Sequence, residues 1–217
     1  MDVLIIGAGG HGKVVLDILR AAGTDRPVGF LDADPALNGS TINGLPVLGQ
    51  INLLPKLRQK ARGAIVAIGD NRARARVGDI VSQQGWELVN AIHPRATVSA
   101  TARLGKNVVV AAGAVVATDT ELADHVIINT SAVVDHECRI GRAAHICPAA
   151  ALAGRVTVGE MAFIGLGSRI IQCLTIGANA IIGAGAVVIE DVTELVTVVG
   201  VPARMIKSGE FSEACPA

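Results

Sequence analysis

The sequence predicts a small α/β domain followed by a parallel β-helix. Three observations predict it: strand and helix patterns alternate around glycine turns over residues 1–90, an aliphatic residue recurs at every sixth position from Ile92 to Val188, and aromatics are scarce. The 217 residues include 25 Gly but only 3 Phe, 1 Trp and no Tyr. A core so poor in rings must be built from Val, Ile, Leu and Ala, and stacked coils suit that supply better than an ordinary globular interior. Lys plus Arg and Asp plus Glu are 19 each, so no net charge recruits nucleic acid or an anionic membrane.

The first domain spans residues 1–90. Val3 to Ile6 reads as a strand that enters the turn Gly7-Ala8-Gly9-Gly10-His11-Gly12. A helix follows, with Val14, Val15, Ile18, Leu19 and Ala22 on one face and Gly23 as its stop. Val28 to Leu31 is a second strand ending at Asp32; Ala64 to Ile68 is a third, followed by Gly69-Asp70-Asn71 and an Arg-rich helix to about Gln84; Trp86 to Val89 is a fourth. Alternating βαβ elements imply a small parallel sheet, a Rossmann-like arrangement.

Gly7, Gly9 and Gly12 satisfy GxGxxG, and Asp32 lies 20 residues beyond Gly12. Glycines there let the backbone approach a phosphate, and free amides at the helix start hold it. The domain is too short for both mononucleotide-binding halves of a full dinucleotide fold. It reads as a cradle for the diphosphate of a nucleotide-linked substrate, with a ligand-free tight turn and NAD binding by an oxidoreductase as the alternatives.

The second domain spans residues 91–217. Stepping by six from Ile92 reaches Val98, Leu104, Val110, Val116, Leu122, Ile128, Val134, Ile140, Ile146, Leu152, Val158, Ile164, Ile170, Ile176, Ile182 and Val188. Four residues after each stop the side chain is small or aliphatic, as at Ala102, Val108, Ala114, Thr120, Val126, Ala132, Cys138 and Ala144. A period of six fits neither an α-helix nor a hairpin sheet. It fits a parallel β-helix whose short strands point each aliphatic inward, each burial contributing roughly 1.5–3 kcal/mol. The segment after Pro202 is expected to close the last coil.

The four cysteines, Cys138, Cys147, Cys173 and Cys215, show no metal-ligand spacing, and they read as three small buried hydrophobes and one tail residue. His125, His136 and His145 are eleven and nine residues apart, too far for the close pair that a zinc-dependent β-helix hydratase would use, so no metal is expected and His125 reads as a polar corner residue. No basic leader or long apolar run opens the chain, so a cytoplasmic protein is expected.

Polar residues interrupt the rungs between Asn129 and His145, above all at Asp135-His136-Glu137. His136 falls two places after the inward Val134, near a corner where a side chain can leave the prism. An imidazole beside a carboxylate is suited to take a proton near neutral pH. A non-catalytic solenoid would give no reason for this block.

The stretch resembles bacterial sugar acetyltransferases that modify nucleotide-linked 4-amino-4,6-dideoxy sugars, the bacillosamine and perosamine types, and their sialic acid O-acetyltransferase relatives. The resemblance rests on GAGGHG, Phe30-Leu31-Asp32, Ala67-Ile68-Gly69-Asp70-Asn71, the block Asn129 to Cys138, His145, Ala153-Gly154, Ile182-Gly183-Ala184-Gly185-Ala186 and Val199-Gly200-Val201-Pro202-Ala203. It implies a left-handed hexapeptide-repeat β-helix, a homotrimer with active sites between subunits, and acetyl-CoA as cosubstrate. By that resemblance His136 is the general base, supported by Glu137, while His145, Gly154, Leu166 and Ala184 line the acetyl-CoA site. Gly9, Gly10, His11, Asp32, Gly69 and Asn129 would contact the nucleotide-sugar. Ala33 stands where some relatives carry a second Asp, so UDP and GDP both stay open; the N-terminal domain favours N-acetylation of a nucleotide-linked sugar amine, with sugar O-acetylation as the alternative.

Overall fold

The structure, a computed structural model, describes residues 1–209. Cys215 and the end of the tail lie outside the described residues. The chain divides into two compact units, Met1–Pro94 and a second beginning at Arg95.

In the first unit, β1 (Asp2–Ile6) leads into α1 (Gly10–Ala22), β2 (Arg26–Leu31), β3 (Thr41–Ile42), β4 (Leu45–Gly49), β5 (Gly63–Val66), α2 (Asn71–Gln83) and β6 (Glu87–Leu88). The sheet order is β3-β4-β2-β1-β5-β6, parallel except for the β3–β4 hairpin. Val3, Leu4, Ile5 and Ile6 are all buried, as expected for a central parallel strand covered on both faces. Chain order reverses at β1, whose neighbours are β2 and β5. That switch point, at the carboxyl ends of the strands, is where open α/β sheets form a crevice.

The expected face of α1 is corrected by the structure. Val15, Ile18 and Leu19 are buried as read, but Val14 is 40% exposed and Leu16 takes its place inside. Gly12 sets this phase: a Cβ there would meet the Gly7 carbonyl oxygen at 2.1 Å, so the helix presses that side onto the loop. Val14, about 200° further round at 3.6 residues per turn, faces out. Gly23 ends α1 in the left-handed conformation, φ 66°. α2 begins where Asp70 accepts a 2.6 Å hydrogen bond from the Ala73 amide. The third strand ends at Val66 rather than Ile68, and the fourth is only Glu87–Leu88. The hairpin and the two 3₁₀ segments, Pro35–Leu37 and Ile51–Leu57, carry no clear period in sequence.

In the second unit, two-residue strands recur every six residues from Thr97–Val98 to Val187–Val188, and those up to Arg169–Ile170 pair in parallel with the strand 18 residues further on. Three hexapeptides therefore make one coil, with three walls and three corners: the first corner follows the wall of Ile128 and Ile146, the second that of Val116 and Val134, and the third that of Leu122 and Ile140. The inward aliphatics from Val110 to Val188 are at most 3% exposed, and they form one continuous core with the small residues four places later. Two inward heteroatoms are satisfied at the second corner: Thr120 Oγ1 donates to the Asp135 carbonyl at 2.8 Å and Cys138 Sγ to the Ala153 carbonyl at 3.3 Å. Ile92, first in the series, is 36% exposed, having no preceding coil to stack on.

From Asn107 to Gly185 the third residue of each corner adopts positive φ, and its exposure depends on its column. At the third corner Asn107, His125 and Ala143 stack and are buried, so His125 is the corner residue expected, turned inside the column. At the second corner Asp119, Glu137, Arg155 and Cys173 stack and are exposed, so Cys173 is not the buried hydrophobe expected. Cys138 and Cys147 are buried. At the C-terminal end the spacing tightens: Val198 pairs with Ile182, and Arg204–Ser208 folds back antiparallel along Val196–Val199. Among the described residues no helix is long and apolar enough to cross a membrane.

Candidate active site

The first unit gathers five of the sequence-predicted residues at the switch point. The loops after β1 and β5 touch there, since a Cβ on Gly7 would meet the Ala67 carbonyl oxygen at 2.7 Å. At Gly9, Gly10 and Gly69, by contrast, a Cβ would find nothing within 4 Å, so their backbone is open to approach. No acidic residue occupies the first turn of α1, and no side chain caps it. Its amides are thus available to an anion. Asp32 braces this loop: Oδ2 accepts from the Ala8 amide at 2.6 Å and Oδ1 from the Asp34 amide at 2.9 Å.

Two cationic or potentially cationic groups underlie the loop. Arg74, fully buried, donates to the Ile68 and Gly69 carbonyls at 2.9 Å each and to Asn71 Oδ1 at 2.8 Å. Sequence reasoning missed it, because an Arg in an Arg-rich helix reads as solvated. Burial, and then the Arg74 charge, push the His11 pKa down to about 4. His11 is therefore a neutral imidazole at physiological pH, with a sealed Nε2 that makes no hydrogen bond.

The β-helix carries two further clusters, on different corners. At the second corner the His136 imidazole, 44% exposed, places Nδ1 2.9 Å from Glu137 Oε2. Arg155 first, and His136 second, hold the Glu137 carboxyl below the usual carboxylate range. An ionised carboxylate can only accept, so the imidazole proton sits on Nδ1 and Nε2 keeps a free lone pair. The backbone is fixed as well, with Asp135 Oδ1 accepting from the His136 amide at 2.7 Å. One coil on, Gly154 makes room for the ring: a Cβ there would lie 2.3 Å from Nε2 and 2.4 Å from Cε1 of His136. Arg155, also missed from sequence, donates from Nε to Glu137 Oε2 at 3.0 Å. Its signal was its position, 18 residues beyond Glu137 and hence next in the same column.

At the first corner Asn129 donates to His145 Nε2 at 3.0 Å, and its Oδ1 accepts from the Thr130 amide at 2.8 Å. Phe163 packs edge-on against His145 with ring centroids 5.4 Å apart. Leu166, 56% exposed, and Ala184 stack in this corner's column, where the Gly185 amide donates to the Leu166 carbonyl at 2.8 Å. Within one chain, therefore, Gly154 goes with His136, whereas Leu166 and Ala184 share the Asn129 corner. The three histidines weighed as metal ligands fall on the third corner, the second corner and the first wall. Among the described residues no three His, Cys, Asp or Glu side chains are grouped so that they could hold a metal ion.

Residues 2–81 match the PglD N-terminal domain. PerB from Caulobacter crescentus, solved in complex with CoA and GDP-perosamine, is 49% identical, with a TM-score of 0.90 covering 95% of this chain and 98% of that one. The acetyltransferase domain of PglB from Neisseria gonorrhoeae FA1090, solved with acetyl coenzyme A, is 41% identical, with a TM-score of 0.90 over 94% of this chain and 98% of that one. The UDP-N-acetylbacillosamine N-acetyltransferase of Bacillus subtilis (strain 168) is 35% identical over 115 residues, 51% of each chain, so that match spans about half of the curated relative. The chain belongs to the family of nucleotide-sugar N-acetyltransferases that join a PglD-type N-terminal domain to a left-handed hexapeptide-repeat β-helix.

Proposed function

We propose that this protein transfers the acetyl group of acetyl-CoA to the 4-amino group of a UDP- or GDP-linked 4-amino-4,6-dideoxy sugar. The observation that carries the reading is the His136 imidazole, held through Nδ1 by an ionised Glu137 with Nε2 left free to take a proton. The N-terminal unit holds the nucleotide. Gly9, Gly10 and Gly69 offer open backbone to the diphosphate, and Asp32 fixes the loop that presents them. With Nε2 sealed, a neutral His11 has only Nδ1 to offer a ligand there.

In the reaction the amine nitrogen attacks the thioester carbonyl, and His136 Nε2 takes the proton released as the C–N bond forms. Collapse of the tetrahedral adduct breaks the C–S bond, and the proton passes to the departing thiolate. General-base help of this kind is typically worth about 10²–10⁴-fold, and holding both substrates in place supplies more. No metal is needed for these steps. N-acetylation is favoured over O-acetylation because the Bacillus subtilis relative is an N-acetyltransferase, as is the perosamine N-acetyltransferase of Caulobacter crescentus, 48% identical to this chain.

The acetyl-CoA site is completed between copies of the chain. His136 and Gly154 lie on one corner of the prism, while Leu166 and Ala184 line another, with His145 bonded to Asn129 beside it, so a homotrimer that sets one corner against the next would unite them. A cytoplasmic location is part of this reading. The test is thiol release from acetyl-CoA with a panel of UDP- and GDP-4-amino-4,6-dideoxyhexoses. One of them should turn over, and His136→Ala should lower kcat at least 10²-fold with acetyl-CoA affinity nearly intact. Near-normal kcat in that variant would remove the proposed base.

A further inference from the structure

The Glu137 carboxylate is shared. His136 Nδ1 and Arg155 Nε both bond to the same oxygen, Oε2, at 2.9 and 3.0 Å. Other cross-coil ion pairs exist, Arg103–Glu121 at 3.1 Å and Arg142–Glu160 at 3.3 Å, but both are made through the flexible NH1 end of the guanidinium. Arg155 instead uses Nε, nearer its own backbone. That backbone is pinned to the base, because the Arg155 amide donates to the His136 carbonyl at 2.9 Å. The Glu137 amide donates in turn to the Thr118 carbonyl at 2.9 Å, so both members of the pair hang from fixed points on adjacent coils.

A carboxylate bonded only to His136 could rotate with it, since the two side chains are 44% and 48% exposed. From these contacts we propose that Arg155 is a positioning residue for acetyl transfer. It acts through Glu137, anchoring the oxygen that keeps the His136 proton on Nδ1 and the Nε2 lone pair outward. The inference rests on the reading of His136 as general base, and it assigns Arg155 no contact with either substrate. The charged and titratable groups around this assembly are Asp135, at the His136 amide, Glu137, Arg155, and Cys173 beside the Arg155 guanidinium.

The test has a structural arm and a kinetic arm, on the full-length protein. In the first, ¹³C NMR follows the Glu137 carboxyl and ¹⁵N NMR the His136 ring in wild type, Arg155→Met and Arg155→Lys. Arg155→Met should move the Glu137 titration to higher pH and mix the His136 tautomers, and Arg155→Lys should restore most of both. In the second, Arg155→Met should lower kcat about three- to fivefold, the reach of an exposed ion pair, with KM for acetyl-CoA unchanged. In a Glu137→Gln background the same substitution should cost less than about twofold, because the residue it acts through is gone. An equal loss in both backgrounds, or an unmoved Glu137 titration, would overturn the assignment. Absence of acetyl transfer in wild type would sink the proposed function alone, leaving the NMR arm to decide the role of Arg155.

Discussion

Gly154→Ala isolates the seating of the His136 ring from everything else in the fold. The added methyl would lie 2.3, 2.4 and 2.9 Å from Nε2, Cε1 and Cδ2 of His136. Restoring an ordinary contact of about 3.5 Å moves the ring by roughly 1.2 Å. A shift of that size cannot keep the 2.9 Å bond to Glu137 and leaves Nε2 displaced from its line of attack. Misplacement by about 1 Å costs on the order of 10²-fold in rate, or about 2.7 kcal/mol in barrier. Stability should change little: Gly154 does not sit at positive φ, so alanine fits the backbone, and the half-exposed imidazole can swing into solvent. Thiol release under saturating substrates, with a thermal melt alongside, measures both. A kcat within threefold of wild type would refute the seating argument. So would a selective rise in KM for acetyl-CoA at unchanged kcat, which would mean that Gly154 serves the cofactor and not the base.

Two further outcomes follow from the same contacts. His11 is held neutral in the folded protein, with its pKa lowered from 6.5 to about 4, so it contributes stability fully above about pH 6.5. That contribution is lost as pH falls toward 4 and amounts to at most about 3 kcal/mol. Urea midpoints at pH 7 and 4.5 should therefore differ more for wild type than for His11→Gln, and parallel pH dependence would refute it. Glu137 sits at φ 58°, where glycine is easier to accommodate. Glu137→Gly should thus hold or raise Tm while lowering kcat, and a falling Tm would show that its carboxylate supports the fold as well as the base.

What the sequence revealed and what it hid follow from two different periods. The six-residue step reports which side chains water must be kept from, and it located the inward row from Val110 to Val188 without a structure. It says nothing about which coil lies on which, because that relation runs at 18 residues. Two things the sequence missed in the β-helix live at that longer spacing: Cys173 is exposed with Arg155, and Arg155 reaches Glu137. In the N-terminal unit the glycine turn was legible as a motif, yet the helix after it was misphased at Val14 and Leu16. There the Gly12–Gly7 contact, not hydrophobicity, sets the inward side. The base itself divides along the same line. His136 and Glu137 are chain neighbours and could be paired by eye, but Gly154 and Arg155, which seat the ring and anchor its carboxylate, are neighbours only after the chain has gone once round the prism. A substitution near this corner is therefore best judged by its column of residues 18 apart before its flanking sequence, since the column decides what each side chain can touch.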